Sequence, residues 1–249
     1  MIRIAEGQEG AELASRIGER AIAIVVDALR SSATLAAMLC AGARDVYVCS
    51  DVPTARKFAA GLDGALLAGE RDSITPEDFD LGNSPVEAAA SDLGGRQIVF
   101  TSGNGAPILV ACSGAGTIVM GSPANARQVT GTAQRALAAG REVVIIPAMD
   151  HGEPCEEDTA AAALLAEVIG PDIDPAQELL IAQWLTRITE GGLEKLYRES
   201  GHGRELETLG FGRDLAAAAT PDIYPALPKV LEYIKTGDGA TVARVGNGS

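Results

Sequence analysis

Short apolar runs rich in β-branched residues alternate with alanine-rich stretches from Ala21 to Ile146. Runs of this kind are typical of buried strands, and the stretches between them are typical of helices. Strands are predicted at 21–26, 46–49, 65–68, 97–101, 117–120 and 143–146, with helices at 32–41, 53–60, 86–92, 106–111 and about 124–139. Because strands and helices alternate, we predict an α/β fold of α/β/α layers with a mostly parallel or mixed sheet.

The last third of the chain has a different pattern. Helices are predicted at 158–169, 177–190 and 193–199, so we expect a helical C-terminal third that packs over the sheet. The stretch 237–249 is rich in glycine and is predicted to fray. Residues 1–249 are interpreted as one domain, and a division into two lobes near 122–140 is left open.

The formal net charge of −14 limits the partners. Such a surface repels nucleic acid and anionic lipid, so we expect neither a nucleic acid nor a membrane as a partner. The amino terminus carries no long apolar run, and a cytoplasmic location is expected. The sequence leaves a homodimer open.

Polar residues follow the predicted strands at the points where ligands bind in open α/β sheets. Asp27 and Arg30 follow the first strand, Glu70 and Arg71 the third, the segment 102–105 the fourth, and Asp150 the sixth, with Glu156, Glu157 and Asp158 a little later. Each has a structural alternative. Asp27 can cap the next helix, Asn104 and Gly105 can form a tight turn, and Glu157 and Asp158 can complement a helix dipole.

The residue types favour an anionic ligand with a metal ion. An arginine at a helix start, such as Arg30, is explained better by a bound phosphate than by the helix itself. Glycine-rich backbone and a helix start that carries Asn83 and Ser84 can both bind an oxyanion. Asp27, Glu70 and Asp158 supply the carboxylates that Mg²⁺ requires. The histidines His151 and His202 are isolated in the sequence, so a structural role is favoured over a role as metal ligand, which stays the alternative.

Several segments, taken together, resemble the 2-phosphosulfolactate phosphatase family. They are Val25-Val26-Asp27-Ala28-Leu29-Arg30, Gly69-Glu70-Arg71, Phe79-Asp80-Leu81-Gly82-Asn83-Ser84-Pro85, Thr101-Ser102-Gly103-Asn104-Gly105, Glu157-Asp158 and Ser200-Gly201-His202-Gly203-Arg204-Glu205-Leu206 with Gly210 and Asp214. The resemblance is collinear over about residues 22–228.

The resemblance implies a Mg²⁺-dependent phosphatase that converts 2-phosphosulfolactate to sulfolactate and phosphate, a step toward coenzyme M. Transferred to this sequence, the catalytic residues are Asp27, Arg30, Glu70 and Asp158, the substrate-binding residues are Arg71, Asn83, Ser84, Asn104, Gly105 and Arg204, and the metal ligands are Asp27, Glu70 and Asp158. Ser102-Gly103 stands where the family commonly has Thr-Thr, so another phosphorylated hydroxy acid is an alternative substrate.

A different class of function is also compatible with these residues. A non-catalytic binder or sensor of small anionic metabolites needs the arginines and the glycine-rich turn, but it needs no converging carboxylates. A nucleotide-binding domain is disfavoured, because no strand is followed by the glycine fingerprint of such domains.

Overall fold

A nine-stranded sheet forms the centre of the structure, a computed structural model that describes residues 1–248. Within these residues the strands are β1 Ile2–Ile4, β2 Ala21–Val26, β3 Asp45–Cys49, β4 Leu66–Gly69, β5 Gln97–Thr101, β6 Thr117–Met120, β7 Glu142–Pro147, β8 Pro228–Lys235 and β9 Thr241–Asn247. The α-helices are α1 Gly7–Ile17, α2 Ser31–Cys40, α3 Val52–Ala59, α4 Pro85–Ala90, α5 Gly105–Ala111, α6 Ala126–Ala138, α7 Glu156–Ile169, α8 Glu178–Gly191, α9 Leu193–Glu199, α10 Gly201–Thr208 and α11 Gly212–Ala219. The predicted α/β fold is confirmed.

The sheet is mixed and consists of two parallel halves that run in opposite directions. Its strand order is β1-β7-β2-β6-β8-β9-β3-β5-β4. One half contains β1, β7, β2 and β6, and the other contains β3, β5 and β4, with parallel pairing inside each half. The antiparallel pairs β6–β8, β8–β9 and β9–β3 join the halves, and they reverse the strand direction between them.

The C-terminal part of the chain contains the predicted helices and corrects one prediction. Helices α7 to α11 do follow the alternating region, but the chain then returns to the sheet as the hairpin β8–β9. The predicted frayed tail at 237–249 is wrong for the described residues, since β9 lies between β8 and β3. Val242, Ala243 and Val245 are fully buried there. Ser249 lies outside the described residues.

Strand β2 and helix α2, which precede and follow Asp27, are covered on nearly all sides. Every residue of β2 is buried, as expected for a parallel strand with helices over both faces. Helix α2 buries nine of its ten residues, and its small alanines allow the neighbouring elements to approach closely. This packing gives the loops after the strands a rigid base.

Two further predictions concern the chain as a whole. No helix within residues 1–248 is both long and apolar enough to cross a membrane. Residues 123–138 form a short 3₁₀ turn and α6, which connect β6 to β7. The prediction of one domain, with two lobes as the alternative, stays a prediction.

Candidate active site

A cavity of about 330 Å³ lies where the loops after β2, β4, β5 and β7 meet. It is lined by Asp27, Leu29, Arg30, Glu70, Arg71, Asp72, Ser73, Asn83, Gly103, Asn104, Asp150, His151, His202 and Glu205. Strands β2 and β7 belong to one half of the sheet, and β4 and β5 belong to the other. The cavity is therefore built from the carboxyl ends of strands in both halves, rather than along one edge of a single parallel sheet.

Asp27 is a fixed carboxylate at the end of β2. Its Oδ1 accepts the backbone N–H of Ser31 at 3.1 Å, and its Oδ2 accepts the Ser31 hydroxyl at 2.6 Å and the Gly105 N–H at 3.0 Å. A Cβ at position 105 would lie 2.4 Å from Oδ2, so only glycine allows this approach. Gly105 itself does not line the cavity, and it acts by holding Asp27.

Arg30 is buried in an ion pair that fixes its guanidinium. Its Nη1 donates to Asp214 Oδ2 at 3.0 Å, and its guanidinium carbon lies 4.1 Å from the centroid of the Phe211 ring. Ser84 donates to the other Asp214 oxygen at 2.7 Å and caps α4 by accepting the Glu87 N–H at 3.1 Å. Ser84 does not line the cavity, so its observed contacts support the structure around Arg30.

Glu70 and Arg71 lie beside the turn after β5. Glu70 Oε1 accepts the Gly103 N–H at 2.7 Å, and Oε2 accepts the Ser73 N–H at 2.9 Å. A Cβ on Gly103 would lie 3.6 Å from Glu70 Oε1 and 3.7 Å from Arg71 Nη1. Within residues 1–248 the Arg71 guanidinium forms no hydrogen bond and no ion pair within 4 Å, so it is a cation available to a ligand.

Two loops around the cavity hold residues in left-handed backbone conformations. Asp72 and Ser73 have φ angles of 52° and 62°, and Met149 and His151 have φ angles of 71° and 47°. Each such residue costs roughly 1–3 kcal/mol and persists only where its surroundings enforce it. The bond from Ser73 to Glu70 is one such restraint. Strain of this kind is common at functional sites.

Two asparagines present amides at the cavity. Asn83 donates from Nδ2 to Ser31 Oγ at 3.2 Å, whereas its buried Oδ1 has no hydrogen-bond partner within the described part of the chain. Asn104 donates to Asp150 Oδ1 at 3.1 Å and accepts the His151 N–H at 3.3 Å. Because buried oxygens are nearly always paired, Asn83 Oδ1 indicates a place for a cation or a donor from a ligand.

His202 lies between the cavity and a buried carboxylate. Its Nε2 is 3.2 Å from Ser73 Oγ, and its Nδ1 is 3.6 Å from Glu157 Oε1. Burial alone lowers the pKa of an imidazole, but the carboxylates of Glu157, Asp27 and Asp150 outweigh it and raise the pKa of His202 above its ordinary value. Burial raises the pKa of Glu157, yet contact with His202 brings it below its usual range.

Asp158 is placed beneath the cavity and does not line it. Its Oδ1 accepts the Ala28 N–H at 2.7 Å, and its Oδ2 accepts the Met149 N–H at 3.2 Å. Burial, followed by the charges of Asp27 and Glu157, raises the pKa of Asp158 well above its usual range. Its contacts tie the loop after β2 to the loop after β7.

Arg204 is exposed on α10 and does not line the cavity. Successive residues of an α-helix are about 100° apart, so Arg204 lies roughly 200° around the helix from His202. His202 and Glu205 share the face toward the cavity. The guanidinium of Arg204 donates instead to the Glu199 carbonyl. The structure therefore places Arg204 outside the cavity lining, and its contact with the substrate stays a prediction.

The structure thus brings together part of the predicted site. The residues that line one cavity are Asp27, Arg30, Glu70, Arg71, Asn83 and Asn104; those that support it without lining it are Ser84, Gly105 and Asp158; Arg204 does neither. Ser73, His202 and Asp214 were not among the predicted site residues. His202 and Asp214 belong to the segments that carry the family resemblance, and this is the signal in the sequence that points to them.

Mg²⁺ prefers oxygen ligands and keeps several of its waters when it binds to a protein. Among residues 1–248, no three His, Cys, Asp or Glu side chains form a metal-binding group. Asp158 does not join Asp27 and Glu70, because it does not line the cavity. A carboxylate has about four acceptor positions, and Asp27 and Glu70 use only three and two of them. With the unpaired Asn83 Oδ1, these oxygens fit a largely hydrated Mg²⁺.

Comparison with known proteins gives the family. The sequence model described as 2-phosphosulpholactate phosphatase matches residues 10–232, which is most of the chain. The chain belongs to the 2-phosphosulfolactate phosphatase family. The relatives are named as probable 2-phosphosulfolactate phosphatases, an activity of the phosphoric monoester hydrolase class, and the resemblance drawn from the sequence segments is confirmed.

Individual relatives agree with the family match. The chain is 32% identical over 208 residues to a probable 2-phosphosulfolactate phosphatase of Carboxydothermus hydrogenoformans, covering 83% of this chain and 84% of the relative. A protein of the same name from Deinococcus radiodurans is 33% identical over 206 residues, covering 80% and 82%. One from Symbiobacterium thermophilum is 32% identical over 226 residues, covering 89% and 94%.

Proposed function

We propose that this chain hydrolyses 2-phosphosulfolactate, or a related phosphorylated hydroxy acid, to the hydroxy acid and phosphate. The observation that carries the proposal is the convergence of family segments on one cavity. Asp27, Glu70, Arg71 and Asn104 come from three separate segments of the sequence, and all of them line it. By the same proposal the enzyme works in the cytoplasm, and its product sulfolactate is used toward coenzyme M.

The charge of the cavity supports the use of a metal ion. Five carboxylates line it, from Asp27, Glu70, Asp72, Asp150 and Glu205, against the guanidiniums of Arg30 and Arg71. The charge of Arg30 is balanced by Asp214. A substrate with phosphate, sulfonate and carboxylate groups would therefore meet a net negative cavity, and additional positive charge is needed to bind it.

We propose that Mg²⁺ supplies this charge and that Asp27, Glu70 and Asn83 Oδ1 hold it. When bound, the ion neutralises charge on the phosphoryl oxygens. Asp158 is not included, because it does not line the cavity. Asp27 accepts three donors in a rigid arrangement, which suits a metal ligand better than a proton acceptor.

The remaining cavity residues orient the substrate. Arg71 is free to bind an anionic group in the bidentate manner that guanidinium allows. Arg30 uses one donor on Asp214 and a longer contact of 3.5 Å on the Ser73 carbonyl, which leaves N–H groups for a ligand. The turn at Gly103 and Asn104 brings a backbone without a side chain to the same place, where a phosphate can approach closely.

Phosphate release from 2-phosphosulfolactate, with Mg²⁺ and then with a chelator in excess, tests this proposal. We expect one phosphate per sulfolactate formed, and we expect turnover to stop under chelator and to resume when Mg²⁺ is restored. A panel of other phosphorylated hydroxy acids ranks the alternative substrates. Tight binding of the compound without phosphate release would contradict the proposal and would favour a sensor of anionic metabolites.

A further inference from the structure

The imidazole of His202 faces the cavity, and the proposed phosphatase function gives it no role. His202 stands on α10, and 17% of its side chain is exposed. Hydrolysis of an alkyl phosphate leaves an alkoxide-like oxygen, which needs a proton because alcohols are weak acids. The other groups proposed to act on the substrate are carboxylates, guanidiniums and amides, none of which is an evident proton donor near neutral pH.

We propose that His202 gives a proton to the oxygen that leaves phosphorus, and that Glu157 is the positioning residue that holds His202 for this step. The inference rests on the proposed phosphatase function and assigns its leaving-group acid.

The contacts of the ring suit this role. Glu157 is 2% exposed, and its Oε1 has no hydrogen-bond partner within residues 1–248. The separation of 3.6 Å from His202 Nδ1 is longer than a direct hydrogen bond, so the pair is chiefly a charge–charge contact. A buried carboxylate without another strong partner is stabilised by the charged form of the imidazole. In that form, Nε2–H can donate to Ser73 Oγ at 3.2 Å.

The groups around the ring favour the imidazolium. Glu157 on α7, Asp27 after β2 and Asp150 after β7 are the acidic groups that raise its pKa above the ordinary value, against the effect of burial. Glu205 lies one turn further on α10, and Arg30 is 3.5 Å from the Ser73 carbonyl oxygen. Glu157, 3.6 Å from Nδ1, and Asp150 are not among the proposed Mg²⁺ ligands, so their charges favour the imidazolium also when Asp27 holds the ion.

The proposed step balances as follows. The bond between phosphorus and the leaving oxygen breaks, and its electron pair stays on that oxygen, which takes the proton from His202 Nε2. A water oxygen forms the new bond to phosphorus. One proton of that water, released as the product becomes hydrogen phosphate, restores the imidazolium. The net change is ester plus water to alcohol plus phosphate.

The variant His202→Gln tests the step on two substrates. On 2-phosphosulfolactate, we expect kcat to fall by about 100-fold or more, the usual contribution of general acid catalysis. On p-nitrophenyl phosphate, whose leaving group needs no proton, we expect a change of only a few-fold. Equal losses on both substrates would mean a structural role, and no loss on 2-phosphosulfolactate would mean no role; either result overturns the inference.

The pH profile gives a second readout that does not depend on the aryl substrate. With wild-type protein, kcat for 2-phosphosulfolactate should fall as pH rises through the pKa of His202, and His202→Gln should lack this limb. Glu157→Gln should move the limb to lower pH, whereas Glu156→Gln, an exposed neighbour that pairs with Arg187, should not. An unchanged limb in His202→Gln would refute the assignment.

If the wild type releases no phosphate from either substrate, the proposed function fails, and the inference fails with it.

Discussion

At the scale of single residues, the ion pair between Arg30 and Asp214 is the clearest example of a contact that stabilises the cavity. Both side chains are almost completely buried, at 2% and 3% exposure. Removing two charges from water costs desolvation free energy, which their mutual attraction offsets. If one partner is lost, the other charge stays buried without a counterion. Asp214 also accepts the Ser84 hydroxyl, which couples α11 to the start of α4.

Asp214→Asn should lower the free energy of unfolding by about 3–5 kcal/mol, because the Arg30 charge would remain buried without its counterion. Urea denaturation followed by circular dichroism measures the change. Asp78→Asn is the matched control, since Asp78 pairs with Arg56 on the surface and both side chains are 49% exposed. The control should unfold close to the wild-type midpoint. Equal midpoints for Asp214→Asn and wild type would refute the role of the pair.

The same residues show how far the sequence predicts the site. Asp27, Glu70 and Arg71 could be found because they directly follow strands, and strand ends place side chains near ligands. Asp158 and Arg204 could not be placed, because their directions depend on how α7 and α10 pack rather than on local pattern. The ion pair of Arg30 joins residues that are 184 positions apart, and no sequence pattern gives that partner.

At the scale of elements, the hairpin β8–β9 does most to unite the sheet. It lies between β6 of one half and β3 of the other, and it pairs antiparallel with both. The sequence prediction failed here because Gly237 and Gly239 were interpreted as part of a loose tail. In the structure, residues 236–240 form a tight connection, with the N–H of Thr236 bonded to the Ala240 carbonyl at 3.0 Å. By contrast, the strands of the alternating region were predictable, since a buried parallel strand is a continuous apolar run.

A chain that ends at Thr236, and so lacks β9, should lose its cooperative thermal transition. Burial of a valine contributes roughly 1.5–3 kcal/mol, so the loss of Val242 and Val245 removes about 3–6 kcal/mol, which reaches the lower end of the usual net stability of about 5–15 kcal/mol. The edges of β3 and β8 would also lose their partner. Circular dichroism on heating measures the transition, with Gly237→Ala as the control because a Cβ there meets nothing within 4 Å. A truncated chain that melts like wild type would contradict the central position of β9.

At the scale of the whole molecule, a strongly acidic protein is proposed to bind an acidic substrate. The net charge of −14 opposes the approach of such a substrate, so binding depends on the few cations at the cavity. The cavity takes residues from both halves of the sheet, and the hairpin keeps those halves in one sheet. Among the cavity cations, the Arg71 guanidinium stands out because it is free of ion pairs within the described chain, and its removal should weaken the site without weakening the fold.

The central claim, that phosphate ester hydrolysis takes place in this cavity, is tested most directly by the kcat/KM of Arg71→Ala for phosphate release from 2-phosphosulfolactate. A charged hydrogen bond contributes about 1.5–3 kcal/mol, so kcat/KM should fall about 10- to 100-fold while the melting temperature stays near that of wild type. A kcat/KM equal to that of wild type would show that the substrate does not bind beside Arg71, and it would contradict the placement of hydrolysis in this cavity.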